Sequence, residues 1–213
     1  MATGLRERKK QQTRELIAET ARGLFTDRGF ERVSVAEIAR EADVSEKTVF
    51  NYFPTKEDLV YWRLESFEDE LLQTIRERAA GESVLDAFSR FVRRPRGMLG
   101  EYDPETQERL AALTRMIVES PSLLRREQQI FEGYAASLAA LLAEETGAAP
   151  DDVEAWVAAT ALMGVHRRLV DFARVRIVAG ARHPAIADAI RDQAERALAL
   201  LENGLGGYAI KEP

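Results

Sequence analysis

The 213-residue chain has no cysteine, two histidines and seven prolines, and aromatic residues make up 8% of it. Without cysteine there is no disulfide, thiolate metal site or thiol nucleophile, which agrees with a reducing compartment. Only His166 and His183 carry imidazoles, and no His-Glu-x-x-His, Gly-x-Ser-x-Gly or glycine-rich phosphate loop is present. That leaves little from which to build acid–base, metal or nucleophilic chemistry, so neither an enzyme nor a cofactor or metal site is expected. Long apolar runs are lacking too. The longest, Ala155 to Val165, covers eleven residues, about half of the ~20 that cross a bilayer. The basic N-terminus leads into no apolar stretch with a cleavage site, so no secretory signal is read. These absences predict a soluble, cytoplasmic protein with no membrane partner. A surplus of positive charge is missing as well, since 30 Lys and Arg against 36 Asp and Glu leave −6. Taken alone, that argues against a polyanionic partner.

What is present favours helix. Ala 32 and Leu 22 outnumber Val 14 and Ile 9, a bias toward helix formers over β-branched strand formers, and the expected class is all-α. Hydrophobic residues at 46% and charged ones at 31% describe a folding chain and not a disordered one. The charge is unevenly placed. Residues 1–60 carry eleven basic and eleven acidic side chains, while 61–213 carry 19 and 25. The first fourteen stand at +4, from Arg6, Arg8, Lys9, Lys10 and Arg14 against Glu7. By itself such a stretch reads as a solvated basic arm.

From Thr13 the positions Leu16, Ile17, Ala21, Leu24 and Phe25 recur at helical spacing, and Gly29 supplies a stop. Ser34 and Glu37 form a capping box that opens a short helix ending near Ala42. Asp43-Val44-Ser45 is then a tight turn, in which Asp tolerates a left-handed backbone and Ser45 caps a second short helix through Tyr52, closed by Pro54. Thr55 and Asp58 cap a longer helix with Lys56 and Glu57 in its first turn. Two short helices braced by a helix on each side make a helix-turn-helix over 34–53, with Val35, Ile38, Ala39, Val44, Val49 and Phe53 as its core. The second short helix offers Ser45, Glu46, Lys47, Thr48, Phe50, Asn51 and Tyr52, groups suited to base edges and phosphates.

The stretch from Ser34 to Leu59, with Ile38-Ala39, Ala42, Val44-Ser45, Thr48, Phe53, Lys56 and Leu59 in register, resembles the DNA-binding signature of the TetR family of bacterial transcriptional regulators (TetR/AcrR-like). The resemblance implies that Ser34 caps its helix and touches a phosphate, and that Thr48 contacts DNA from the recognition helix. It also implies that Lys56, with the N–H groups of the helix it opens, meets a backbone phosphate. Three positions depart from the pattern. Asp43 replaces the usual turn glycine, Phe50 stands where Tyr is commonest, and Tyr52 stands where His is common. With Glu46, they imply an altered sequence preference.

Beyond Tyr61 helices are read from caps at Asp103-Pro104, Ser120-Pro121, Pro150-Asp151-Asp152 and His183-Pro184, and from stops at Gly81, Gly100, Gly147, Gly180 and Gly204. They fall near 56–80, 83–94, 104–119, 121–146, 151–179 and 184–203, about nine helices in all. The division is 1–57 for the basic arm and DNA-binding domain and 58–213 for a helical ligand-binding and dimerisation domain. The helix from Asp151 is apolar nearly all round, which demands cover all round. With the last helix it supplies the expected dimer interface: Leu162, Val165, Leu169, Ile186, Ile190, Ala194, Ala197, Leu198 and Leu201. The resemblance also implies a small-molecule pocket, for which Trp62, Phe88, Phe91, Met116, Phe131, Tyr134, Trp156, Met163 and His166 are candidate lining. Arg167 and Asp171, four apart, suit an ion pair. The function expected is a homodimeric repressor that leaves a palindromic double-stranded operator when a small, largely apolar effector binds. An activator or effector-independent regulator of the same family, or a helical protein-interaction module, is the alternative. The steep salt dependence of phosphate contacts separates the last from DNA binding.

Overall fold

The computed structural model describes residues 2–94, 103–181 and 183–204, and these are helical without a strand. In chain order the helices are α1 (Ala2–Arg28), α2 (Val35–Glu41), α3 (Glu46–Tyr52), α4 (Asp58–Tyr61), α5 (Glu65–Arg76), α6 (Val84–Val92), α7 (Pro104–Glu119), α8 (Pro121–Thr146), α9 (Val153–Val178) and α10 (His183–Asn203). A tighter 3-10 turn, Trp62–Leu64, joins α4 to α5. The all-α class and the starts of α7, α8, α9 and α10 follow the sequence reading. Asp152, for example, caps α9 by accepting from the Glu154 and Ala155 amides at 2.8 and 3.2 Å. Gly29 and Gly180 end α1 and α9 in the left-handed region, at φ 83° and 79°, where a side chain would be strained. The expected stop at Gly100 lies outside the described residues.

Two expectations change. The basic arm is not a loose tail but the first turns of α1, which starts at Ala2 and not at Thr13. Residues 5–12 are strong helix formers, and Gln11 donates to Glu15 at 2.8 Å one turn on. The helix expected over 56–80 is broken in two, so the described residues hold ten α-helices where about nine were expected. The reciprocal bonds between Thr55 and Asp58 hold Lys56 and Glu57 in a turn and delay α4 to Asp58. The chain then tightens directly after Tyr61, whose hydroxyl is held by the Leu123 carbonyl at 3.0 Å.

The described chain forms two compact units, residues 1–65 with 115–127 and residues 66–114 with 128–213. In the first unit α1 packs on α2 and α4, and Ile17, Ala18, Ala21, Phe25, Phe30, Val33, Ile38, Ala39, Val49, Phe53 and Leu59 are buried. Leu16 is a correction: it is 52% exposed, because Ile17, Ala21, Phe25 and Ala18 form the buried arc with Ile17 at one edge, and Leu16 falls beyond that edge. Val35 and Val44 are only partly buried. Three side-chain bonds tie 115–127 into this unit: Tyr61 to Leu123, Arg126 to Asp58 and Ser120 to Glu31.

In the second unit α10 packs along α9 and against α6. Part of the expected dimer face is covered by this packing. Leu162, Leu169, Ile186, Ala194 and Leu198 are buried within the unit itself, and Ile190 packs on the cluster of Ala173, Ile177 and Ile186. Ile186, Ala194 and Leu198 of the α10 stripe are thus covered inside one chain. Val165, Ala197 and Leu201 remain partly exposed. The outward face of α9 presents Val153, Trp156, Val157, Val175 and Val178.

Candidate nucleic-acid interface

The first unit holds α3 between two defined ends. Ser34 caps α2 through a capping box, its hydroxyl accepting from the Glu37 amide at 3.2 Å while Glu37 Oε2 accepts from the Ser34 amide at 2.8 Å. Arg28 adds an ion pair to Glu37 at 2.8 Å. The Ser34 amide, the Arg28 guanidinium and the Ser34 hydroxyl together hold the Glu37 carboxyl down at a pKa of about 2. α2 ends in a turn at Asp43, φ 53°, the one non-glycine residue of the described chain with positive φ. The Val44 amide donates to the Ala39 carbonyl at 2.9 Å and the Asp43 amide to Arg40 at 3.3 Å. This is the paired bonding of a left-handed helix stop, and Asp is among the few residues that tolerate it.

Ser45 then caps α3, accepting from the Thr48 amide at 3.1 Å, with the two hydroxyl oxygens 2.8 Å apart. Val49 and Phe53 face the core. Ser45, Glu46, Lys47, Phe50 and Asn51 face solvent, and Thr48 and Tyr52 are half-buried. Phe50 is 47% exposed, an apolar ring largely open to solvent.

Beside α3 lies the basic end of α1. Lys9, Lys10 and Thr13 line a concavity of about 450 Å³ together with Thr48, Asn51 and Tyr52. The sequence reading placed the charge of the N-terminus correctly but did not bring Lys9, Lys10 and Thr13 to α3. The signal was there in the spacing, since Lys9, Thr13 and Ile17 succeed one another four apart along one line of a helix. Arg14 lies over the Phe53 ring at 5.4 Å, which joins the basic stretch to the core of the unit.

Lys56, which the resemblance sets against a backbone phosphate, also has partners within the protein. Its ammonium donates to the Phe30 carbonyl at 2.6 Å and stands over the Phe30 ring at 4.1 Å. Burial lowers its pKa, against the raising influence of Glu31, Glu57 and Glu37.

The expected pocket residues are divided between the two units. Trp62 and Met116 belong to the first unit. Trp156 is on the exposed face of α9, in a shallow concavity with Asp151, Val153, Val157, Thr160 and Ala161. In the second unit His166 stacks on Phe67 at 4.4 Å and meets Phe131 edge-on at 5.6 Å, while Phe67 also contacts Phe91 and Tyr134. Phe88 and Met163 are buried core of that unit. Phe67 was missed because it reads as one more apolar position of its helix. The expected Arg167–Asp171 pair is replaced by Arg168–Asp171 at 2.7 Å, three apart, a spacing as good as four for reaching along a helix. Among the described residues no group of three His, Asp or Glu could hold a metal, and no helix is long and apolar enough to cross a membrane.

Residues 17–61 match the family model for bacterial regulatory proteins of the tetR family. The chain is 30% identical over 151 residues to the HTH-type transcriptional regulator TcmR of Streptomyces glaucescens, an alignment covering 70% of this chain and 67% of that one. It is 51% identical over 53 residues to the HTH-type transcriptional regulator LuxR of Vibrio harveyi, 25% of this chain and 24% of that one. Among solved structures, a TetR-family transcriptional regulator from Syntrophomonas wolfei superposes with a TM-score of 0.55 at 18% identity, covering 93% of this chain and 98% of that one. Capped short helices, a left-handed turn and a solvent-facing α3, joined to similarity over most of the length of a known regulator, place the chain in the TetR family of DNA-binding transcriptional regulators.

Proposed function

We propose that the chain acts in the cytoplasm as a homodimeric repressor that binds a roughly palindromic operator and leaves it when a small, largely apolar effector binds. The division of labour is 1–57 for DNA and 58–213 for effector and dimer. The observation that carries the DNA reading is the shared concavity of Lys9, Lys10 and Thr13 with Thr48, Asn51 and Tyr52. It sets two ammonium groups for phosphates beside a row of groups for base edges, the usual split between positioning and specifying contacts. Ser45, Glu46, Lys47 and Phe50 extend that surface, with Phe50 suited to a thymine methyl and Glu46 to a cytosine amino group. Ser34, exposed at the start of α2, is within the same reading as a phosphate contact.

The outward apolar face of α9 supports a second copy of the chain as partner, since Val153, Trp156, Val157, Val175 and Val178 otherwise stand in water. A twofold dimer sets its recognition helices about one DNA turn apart, ~34–36 Å. The ring cluster of Phe67, Phe91, Phe131, Tyr134 and His166 supports an apolar, ring-bearing effector. To act, the effector has to bind the DNA-free state more tightly than the DNA-bound one.

Fluorescence anisotropy of the full chain against the DNA flanking its own gene tests this reading, at low and near-physiological salt and beside scrambled DNA. Salt-sensitive binding that prefers the native fragment is expected. Equal, weak binding to both fragments overturns operator recognition at that locus.

A further inference from the structure

The outward face of α9 is laid out symmetrically along the helix. Val153, Val157, Thr160, Arg168, Asp171 and Val175 stand 11, 7 and 4 residues to either side of Gly164. At 100° per residue all six fall within about 40° of Gly164 around the axis, so they form one line that reads alike in both directions. Its two ends are exposed valines, Val153 at 72% and Val175 at 68%. The halves differ in shape. Val153, Trp156, Val157 and Thr160 bound most of a shallow concavity of about 480 Å³, and their i, i+3, i+4, i+7 spacing is that of the hole that receives a knob in a coiled coil. The other half carries Val175 and Val178, apolar and open to solvent. In the middle Gly164 is exposed, and a Cβ there would meet no packing neighbour within 4 Å. Nothing inside the protomer limits that position to glycine, whereas a second backbone crossing over it would. The charges also suit a copy of the same face, since a surface that pairs with itself doubles any net charge it carries. Along this line the charged groups are Arg168 and Asp171, joined at 2.7 Å, and the line is neutral.

We propose that α9 pairs with α9 of a second copy, nearly antiparallel, with the twofold axis passing at Gly164. Positions equally far before and after Gly164 then face each other. Val153 meets Val175 of the partner subunit, and Thr160 offers its hydroxyl oxygen to Arg168 of the partner subunit. The exposed valines of each copy come to the concavity of the other, and every contact is made twice. This inference rests on the homodimer reading and adds to it the face, the direction and the register of the pairing.

Because the chain has no cysteine, introduced thiols report the register directly. Full-length variants are treated with a short bifunctional maleimide, beside sedimentation equilibrium of the untreated proteins. Gly164→Cys is expected to link to its copy. Val153→Cys and Val175→Cys are each expected to stay unlinked, because in this register equal positions lie ~33 Å apart, 22 residues at 1.5 Å. The variant carrying both is expected to link between chains. Gly164→Leu adds bulk at a site open within the protomer, and it is expected to raise the dimer dissociation constant about tenfold, the size of a moderate overpacking penalty, with helix content unchanged. In a chain that sediments as a dimer, failure of either expected link overturns the proposal and leaves the homodimer reading standing. So does linkage of Val153→Cys alone, the mark of a parallel pairing, and so does wild-type association of Gly164→Leu. A wild-type chain that sediments as a monomer at micromolar concentration overturns both and leaves the face to some other partner.

Discussion

Asp58 divides its carboxylate between two parts of the chain: Oδ2 accepts from the Thr55 amide and hydroxyl, each at 2.8 Å, and Oδ1 accepts from Arg126 Nε at 2.7 Å. One oxygen fixes the turn after the recognition helix and the other ties in the start of α8. Losing Arg126 removes the second bond and leaves the first, and Arg126→Ala is expected to cost about 1 kcal/mol, the upper range for a partly exposed pair. Asp58→Ala removes the cap as well and is expected to cost about 2 kcal/mol. Urea denaturation of both single variants and the double variant checks this. The double variant should cost less than the sum of the two single variants, because the bond they share is lost only once.

Acid should reach the first unit through Glu37. Its pKa is depressed from 4.5 to about 2 by the Ser34 amide, Arg28 and the Ser34 hydroxyl. A carboxylate depressed on folding contributes stability that is present above the unfolded value and lost as pH falls toward the folded one. Stability should therefore decline as pH drops from 4.5 toward 2. Glu37→Gln, followed by thermal unfolding across that window, should show a flatter pH dependence than the wild type.

Asp43 places a carboxylate in the turn before α3 at φ 53°. Asparagine tolerates that conformation equally and carries no charge. Asp43→Asn should leave the melting temperature nearly unchanged and raise DNA affinity at low salt, with the gain shrinking as salt screens the charge. Asp43→Ala should cost about 1 kcal/mol. Anisotropy titrations paired with melting curves separate the two effects.

The basic end of α1 makes a sharper numerical prediction. If Lys9 and Lys10 each neutralise one phosphate, replacing both by Ala should lower the slope of log affinity against log salt by about 2. The preference for operator over scrambled DNA should change little, because the base-facing groups of α3 are intact. An unchanged slope would remove these lysines from the interface.

The two faces of α9 predict opposite phenotypes. Val157, 62% exposed, is expected to matter only between copies, and Val157→Asp should shift sedimentation equilibrium toward monomer. Leu162, 4% exposed, lies inside the protomer, so Leu162→Ala should cost about 2–5 kcal/mol through a cavity and leave association intact at temperatures where the chain is folded.

What was legible in the sequence was local. The Ser34–Glu37 box, the Ser45 cap, the left-handed Asp43 and the glycine stops each depend on residues a few positions apart, and spacing alone specifies them. What could not be read were bonds that close over distance. Lys56 to Phe30 spans 26 residues, Arg126 to Asp58 spans 68, and Ser120 to Glu31 spans 89. Periodicity marks an apolar stripe without saying what covers it. For that reason Ile186, Ala194 and Leu198 were expected between chains when α9 and α6 of the same chain already cover them. The same ambiguity hid Phe67, whose helix position is as apolar as its neighbours'.

Because α1 runs unbroken through its 27 residues, a rod of about 40 Å at 1.5 Å per residue, its basic end is geared to its buried end. The lysines do not search for DNA as a loose tether does, and no chain entropy is lost in ordering them on arrival. Their bearing is set by register. A single alanine inserted between Thr13 and Arg14 would turn Lys9 and Lys10 by about 100° around the axis while leaving the net charge and the buried face from Ile17 onward unchanged.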